Sequence, residues 1–333
     1  MDTVLLLTIA VVAFALIFDF INGFHDTANA IATSVSTRAL KPRTAIMMAA
    51  IMNFIGALTF TGVAQTISKD IVDPFVLENG SVVILAALLS AIAWNLITWY
   101  YGIPSSSSHA LIGSIAGAAI SAAGLGILNY SGFLKIIQAL LFSPIIALVG
   151  GFIMMSLFKV LMKNFNLFKA NRRIRYMQVG TAALQAFTHG TNDAQKAMGI
   201  ITMALIAAQM QTGDDIQLWV RVAAATAMGL GTAVGGYKII KTVGGKIMKI
   251  RPVNGAAADL NSAMIIFGAT LLHLPVSTTH VISSSIMGVG AAQRVKGVNW
   301  GVAQRIVWTW IITLPISALF AGLIYQIVQW IFL

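Results

Sequence analysis

The sequence predicts an all-α integral membrane protein of about 10–12 transmembrane segments, built as two inverted repeats with broken or re-entrant helices. Three observations carry this. Apolar residues outnumber charged ones 58% to 9%. The apolar runs alternate with basic clusters in a consistent order. Two polar motifs from the first half recur, in the same order, in the second.

A soluble domain carries roughly 25% charged residues, and mean hydropathy here is +0.86, so most of the chain belongs in lipid. The net charge of +11 does not indicate nucleic-acid binding, because the basic residues sit between apolar runs, where they act as topology determinants. There is no cysteine. That removes disulfides, thiolate metal sites and cysteine nucleophiles, and no resident metal or cofactor is expected. Met1-Asp2-Thr3 lacks the positive charge that opens a signal peptide, so the first apolar run reads as a retained span.

With about 20 apolar residues per crossing, spans are expected near 3–37, 44–66, 81–102, 109–128 and 134–160, then 176–210, 218–237, 256–273, 276–293 and 306–330. The basic clusters are Arg38 to Arg43, Lys159 to Arg175, Lys238 to Arg251 and Arg294 to Arg305. Of the 21 Lys and Arg, only Lys69, Lys135, Lys196 and Arg221 fall outside them. The ten spans put all four clusters on one side, the cytoplasm. Asp70, Asp73, Glu78, Asp214 and Asp215 fall on the other, and both termini are extracytoplasmic. The first and sixth spans would each be roughly 50 Å long at about 1.5 Å per residue. Each is therefore expected to be a pair of half-helices broken at its Gly-rich polar stretch.

GFHDTANA (23–30) aligns with GTNDAQKA (190–197), and PSSSSHALIGSIAG (104–117) aligns with PVSTTHVISSSIMG (275–288). Two matches in one order indicate duplication. The halves are residues 1–162 and 176–333, with a short basic cytoplasmic linker at 163–175. The first half starts outside and the second inside, so the repeats are inverted, an arrangement that puts a transport site near the membrane midplane.

Ionisable residues within spans are functional candidates: Asp19, Asn22, His25, Asp26 and Asn29 in the first half, and His189, Asn192, Asp193, Gln195 and Lys196 in the second. Asp26 and Asp193 stand beside glycine in both repeats. Asp19 has no acidic counterpart and reads as a gating partner, a proton relay or a structural pairing. Ser105 to Ser108 and Ser277 to Thr279 each follow a proline and precede a helical stretch, as N-caps and first turns do. A helix N-terminus offers free N–H groups and partial positive charge, which bind anions. Two such termini from opposite sides would enclose one tetrahedral oxyanion. His109 and His280 follow the hydroxyl runs and read as structural support or substrate contacts. His25 has no histidine counterpart and suits an asymmetric proton step. Asp259 is expected near the cytoplasmic end of its span, outside the site. Two carboxylates repel a bare anion unless cations or protons bind too, or Lys196 offsets a charge. Phosphate keeps a proton that a carboxylate accepts and sulfate does not, which favours phosphate.

NGFHDTANA with THGTNDAQK, and GIPSSSSH with LPVSTTH, resemble the inorganic phosphate transporter (PiT) family over nearly the whole chain, most closely its bacterial low-affinity Pit branch. The resemblance implies a substrate site of Asp26, Asn29, Ser106, Ser107, Ser108, Asp193, Ser277, Thr278 and Thr279. Asp19, His25, Asn192, Lys196, His109 and His280 become coupling or gating candidates. Sodium-coupled members carry Asn before the first Asp, and Asn three residues after each Asp. His25 and Lys196 depart from that pattern, as they do in the bacterial branch. The resemblance thus implies symport of phosphate with H+, or alternatively Na+, with a divalent metal as a possible co-substrate. It also implies a homodimer in a prokaryotic plasma membrane. Rival readings are a sulfate permease of the same family, a passive anion channel, and an intramembrane hydrolase. The last is disfavoured because Ser108-His109 and Thr279-His280 are sequence neighbours that do not face each other on a helix, and no HExxH or Walker loop is present. No enzyme activity is expected.

Overall fold

The computed structural model describes residues 3–73, 79–164 and 167–332, and within them the chain forms twelve α-helices. The first six are α1 (Thr3–Ser36), α2 (Pro42–Ala57), α3 (Gly62–Lys69), α4 (Gly80–Tyr101), α5 (Ser107–Ala123) and α6 (Tyr130–Leu161). The second six are α7 (Leu167–Ala207), α8 (Leu218–Val234), α9 (Tyr237–Gly245), α10 (Pro252–Leu271), α11 (Thr278–Gln293) and α12 (Trp300–Phe332). Glu78, expected in an acidic loop, lies outside the described residues. From Leu167 onward, the segment read as a linker is the start of α7.

The duplication holds element by element. A single 3-10 turn, Leu125–Ile127, separates α5 from α6, and its counterpart Val295–Gly297 separates α11 from α12. Isolated bridges pair Val72 with Leu128 and Met248 with Val298. Pro144 inside α6 matches Pro315 inside α12. Local chemistry sets the ends: Pro42 and Pro252 open α2 and α10. Gly102, at φ +65°, closes α4 in the left-handed conformation that lets the chain turn back toward α5.

The predicted breaks are displaced. α1 and α7 run through their Gly-rich stretches unbroken. The bends fall instead between α2 and α3, at 70°, and between α8 and α9, at 76°. The expected spans 44–66 and 218–237 are thus the broken ones. The glycines of α1 and α7 serve close packing. A Cβ on Gly23 would lie 2.5 Å from the Met228 carbonyl oxygen of α8, and one on Gly190 would strike the backbone of Asn53 in α2. Small residues that let backbones touch are how helices associate in lipid.

α1, α4, α6 and α12 are long and apolar enough to cross a membrane, and the two bent pairs qualify as broken spans. α6 and α12 present Leu141, Ile145, Ile153, Leu319 and Leu323 outward, the surface that acyl chains would cover. α5 and α11 are almost wholly buried. Each lies against the long helix of the other repeat: α5 on α12, where Gly113 and Gly117 meet Leu314 and Ala318, and α11 on α6, where Gly288 meets Leu148. Two apolar cores result. One gathers the first half of α1 with α3, α4 and α5; the other gathers the second half of α1 with α9, α10 and α11. The buried polar residues of α1, α5, α7 and α11 lie between them.

Candidate functional site

The N-termini of α5 and α11 meet head to head between the two cores. Ser106 caps α5, its hydroxyl accepting from the His109 backbone N–H at 3.1 Å, and Ser277 caps α11, accepting from His280 N–H at 3.2 Å. Ser108 Oγ donates to the Val276 carbonyl at 2.8 Å, tying the start of α5 to the segment that leads into α11. The rings of His109 and His280 stand 4.5 Å apart, and His280 stacks on Trp310 at 3.9 Å. His109 Nδ1 lies 2.9 Å from Ser106 Oγ. These contacts hold the starts of α5 and α11 together.

The unbroken α1 brings Asp26 to both termini. Its Oδ2 accepts from Ser107 Oγ at 2.5 Å and its Oδ1 from Thr279 Oγ1 at 3.0 Å. His25 Nδ1 lies 2.6 Å from the same Oδ1, and His25 Nε2 lies 3.1 Å from Thr98 Oγ1. Asn29, one turn on, donates to Thr279 at 2.8 Å.

α7 supplies the second carboxylate. Lys196 Nζ donates to Asp193 Oδ1 at 2.7 Å and reaches Ser107 Oγ at 3.3 Å. Thr278 donates to Asp193 Oδ2 at 3.2 Å. His189 Nε2 stands 3.3 Å from that oxygen but outside hydrogen-bond geometry. Every one of these side chains is buried. The structure therefore brings together Asp26, Asn29, Ser107, Thr278, Thr279, Asp193 and Lys196 in one hydrogen-bonded cluster. Ser106 and Ser277 sit behind it as helix caps. Asn192 is turned to the end of α10, bonding Thr270 at 3.1 Å and the Leu274 carbonyl at 3.2 Å. Asp19 is buried within electrostatic reach of Asp193 and Lys196. Asp259 stands apart, accepting from Thr33 at 2.7 Å.

Sequence reasoning missed Thr98, which holds His25, and Asn53, which bonds His189 at 3.0 Å, Thr27 at 2.9 Å and Thr232 at 3.1 Å. Both are single polar residues inside apolar runs. That is a weak signal, and it becomes informative only when the partner helix is known.

Opposed helix N-termini supply hydroxyls and backbone N–H groups between matching halves of the chain, and two unbroken helices supply carboxylates and one buried lysine. That combination defines a multi-pass membrane transport protein. The sequence comparisons give the family. The Phosphate transporter family matches residues 22–172 and 163–321, and the chain belongs to it. A probable low-affinity inorganic phosphate transporter of Bacillus subtilis (strain 168) is 72% identical over 333 residues, the whole of both chains. One of the same description from Rhizobium meliloti (strain 1021) is 44% identical over 96% of each. A solved structure of a protein described as "The sodium-dependent phosphate transporter" superposes with a TM-score of 0.87 at 25% identity, covering 98% of this chain and 99% of that one. These relatives are transporters, not enzymes.

Proposed function

We propose that this chain imports inorganic phosphate by alternating access, coupled to protons. The observation that carries the reading is the joint donation of Ser107 and Thr279, from opposite repeats, to Asp26 at 2.5 and 3.0 Å. Two anion-attracting helix ends and a carboxylate acceptor meet at one point. A phosphate still carrying a proton satisfies both. When it binds, the Ser107 and Thr279 hydroxyls turn from Asp26 to its oxygens, which also accept from helix N–H groups, and its P–OH donates to Asp26 in their place. Sulfate offers no such proton at neutral pH and leaves the carboxylate facing an anion.

Lys196 supports proton rather than sodium coupling. Its ammonium is already the counter-charge of Asp193, and it stands at the position that resembles the Asn of sodium-coupled relatives. His25, in contact with Asp26 and with no histidine in the other repeat, is suited to carry the coupling proton. The proposed orientation keeps the basic clusters in the cytoplasm and both termini outside, and the assembly as a homodimer. Sodium coupling is the second reading, favoured by the superposition on a sodium-dependent phosphate transporter. Co-transport of a divalent metal with phosphate fits the same site.

Radiolabelled phosphate uptake into proteoliposomes, with proton and sodium gradients imposed separately and sulfate as competitor, tests this. Uptake that follows the proton gradient and ignores sulfate is expected. A strict sodium requirement overturns the coupling assignment, and inhibition by sulfate overturns the substrate assignment.

A further inference from the structure

We infer that Lys159, Lys249, Arg251 and Arg294 form a second binding site, for a phosphate-bearing anion, at the end of α11 remote from Asp26 and Asp193. α11 starts at Thr278, within the cluster around those carboxylates, and ends at Gln293. Its 16 residues, at about 1.5 Å each, separate the two places by about 24 Å.

The segment between α9 and α10, residues 246–251, crosses the end of α11 as a strap. Met248 bridges Val298, and the Asn299 N–H donates to the Ile247 carbonyl at 2.8 Å. Gly290 lets the strap lie this close, since a Cβ there would stand 2.8 Å from Met248 Sδ. The end of α6 is fastened to the end of α11 by Lys159, whose ammonium donates to the Ala292 carbonyl. Strap, α6 and the turn after α11 enclose a cavity of about 490 Å³, lined by Lys159, Lys249, Arg251, Gln293 and Arg294.

Four cations therefore share one concavity, and among the described residues no carboxylate pairs with any of them. The sequence around them offers none. It holds no Asp or Glu between Glu78 and Asp193, and after Asp215 only Asp259, which is buried against Thr33. Lys159 has a structural use, because a cation suits the carbonyl end of a helix. The other three are not needed by the fold, as the matching corner of the first repeat shows. There Val72 bridges Leu128, and the Asn129 N–H donates to the Ile71 carbonyl at 3.0 Å. In that register Asp73 stands where Lys249 does, and Gly124, the C-cap of α5, stands where Arg294 caps α11. The positive-inside tendency accounts for the sign of the charge on this face, but not for its convergence on a cavity. An anion with several acceptor oxygens offsets the mutual repulsion, and the arginine fork matches phosphate oxygens two at a time.

A phosphate group can reach the cavity from two sources. The headgroup of an anionic lipid is favoured by α6, where Leu157, Val160 and Leu161 beside Lys159 are exposed on the surface that acyl chains would cover. In the proposed orientation this end is cytoplasmic, the side on which basic pockets between spanning helices take such headgroups. Free inorganic phosphate is the other source. The site rests on neither the proposed substrate nor the proposed coupling.

The test is thermal unfolding of the purified full chain in detergent at constant ionic strength. It is titrated separately with dioctanoyl phosphatidylglycerol, dioctanoyl phosphatidylcholine and inorganic phosphate. A saturable rise in Tm with phosphatidylglycerol and not with phosphatidylcholine is expected, with apparent affinity roughly 10- to 30-fold weaker in Lys249→Gln/Arg294→Gln. That result identifies a headgroup site. A phosphate response weakened by the same double variant, without a phosphatidylglycerol response, identifies a site for the free ion. Lys41→Gln/Arg43→Gln removes two exposed cations outside the cavity and should leave both responses intact. Responses to phosphatidylglycerol and phosphate that the Lys249→Gln/Arg294→Gln protein keeps in full overturn the inference, and so does equal weakening in the Lys41→Gln/Arg43→Gln protein. Should the first double variant fail to fold, Lys249→Gln alone decides by the same comparison. None of these outcomes bears on whether phosphate is carried, which uptake measures.

Discussion

Lys196 and Asp193 sit one turn apart on α7, their charged groups 2.7 Å apart and both side chains sealed from solvent. A pair this deep is weak evidence of stabilisation, since desolvation offsets most of the attraction, yet removing one partner is costly. Lys196→Met strands Asp193 and is expected to lower stability by about 3–5 kcal/mol. The double variant Lys196→Met/Asp193→Asn should recover most of that, as measured by thermal unfolding. Lys196→Asn vacates the ammonium position and supplies an oxygen ligand in its place. Uptake by that variant is expected to acquire a sodium dependence; phosphate uptake that stays proton-driven and indifferent to sodium would refute the role given to Lys196.

Ser107 and Thr279 donate to one carboxylate from opposite repeats. Ser107→Ala and Thr279→Val each remove a hydrogen bond to a charged group, worth about 1.5–3 kcal/mol. Each should raise the KM for phosphate by roughly 10- to 100-fold. Because they share an acceptor, the double variant should fall short of the product of the single effects. Strict additivity in uptake assays would mean the two hydroxyls do not act on one ligand.

Much of this site was legible because its chemistry is local. A proline followed by hydroxyls and a histidine announces a helix start, and finding PSSSSH and PVSTTH in matching places announces two. The register inside each run was not legible. Which hydroxyl caps the helix and which faces Asp26 depends on where the first turn begins, a boundary uncertain by a residue or two. Ser106 and Ser277 became caps, while Ser107 and Thr279 took the carboxylate. The breaks were misplaced for a related reason: a glycine that ends a helix and one that admits a neighbouring backbone look alike in sequence. Gly23 and Gly190 are of the second kind, and only the positions of α8 and α2 reveal it.

That distinction is itself testable. A side chain at Gly23 or Gly190 meets backbone, which cannot rotate away. Gly23→Leu and Gly190→Leu are expected to destabilise by at least the 1–3 kcal/mol typical of overpacking, and to reduce folded yield on size-exclusion chromatography. Gly180 also lies within α7 but has nothing within 4 Å of a built Cβ. Gly180→Ala should be neutral or stabilising by up to about 1 kcal/mol. Equal loss in all three would discard the packing account.

On the acidic-loop face, Lys69 of the first repeat pairs with Asp214 of the second at 2.5 Å. The hydrogen bond from the Lys69 ammonium holds the Asp214 carboxyl below the usual carboxylate range. A depressed carboxyl contributes stability above its unfolded pKa, about 3.9, and loses it as pH falls through the folded value. Both groups are partly exposed, so the contribution should stay within about 1 kcal/mol and shrink with salt. Asp214→Asn is therefore expected to shift Tm slightly at neutral pH and low salt, and progressively less as pH falls from the unfolded pKa through the lower folded value.

His25 gives the most direct test of coupling. It bridges Asp26 at 2.6 Å and Thr98 at 3.1 Å, linking the carboxylate to the end of α4. Asparagine keeps a hydrogen-bonding side chain of similar reach and cannot carry a proton near neutral pH. If His25 takes up the coupling proton, His25→Asn should bind phosphate within a few-fold of wild type, lose most proton-driven accumulation, and still exchange phosphate across the membrane at equal pH. Thr98→Val, which removes only the far hydrogen bond, should shift the pH profile of uptake without abolishing accumulation. Exchange and accumulation falling together in His25→Asn would instead make His25 a positioning residue for Asp26. Full accumulation in that variant would move the coupling proton to Asp26 or to the phosphate itself.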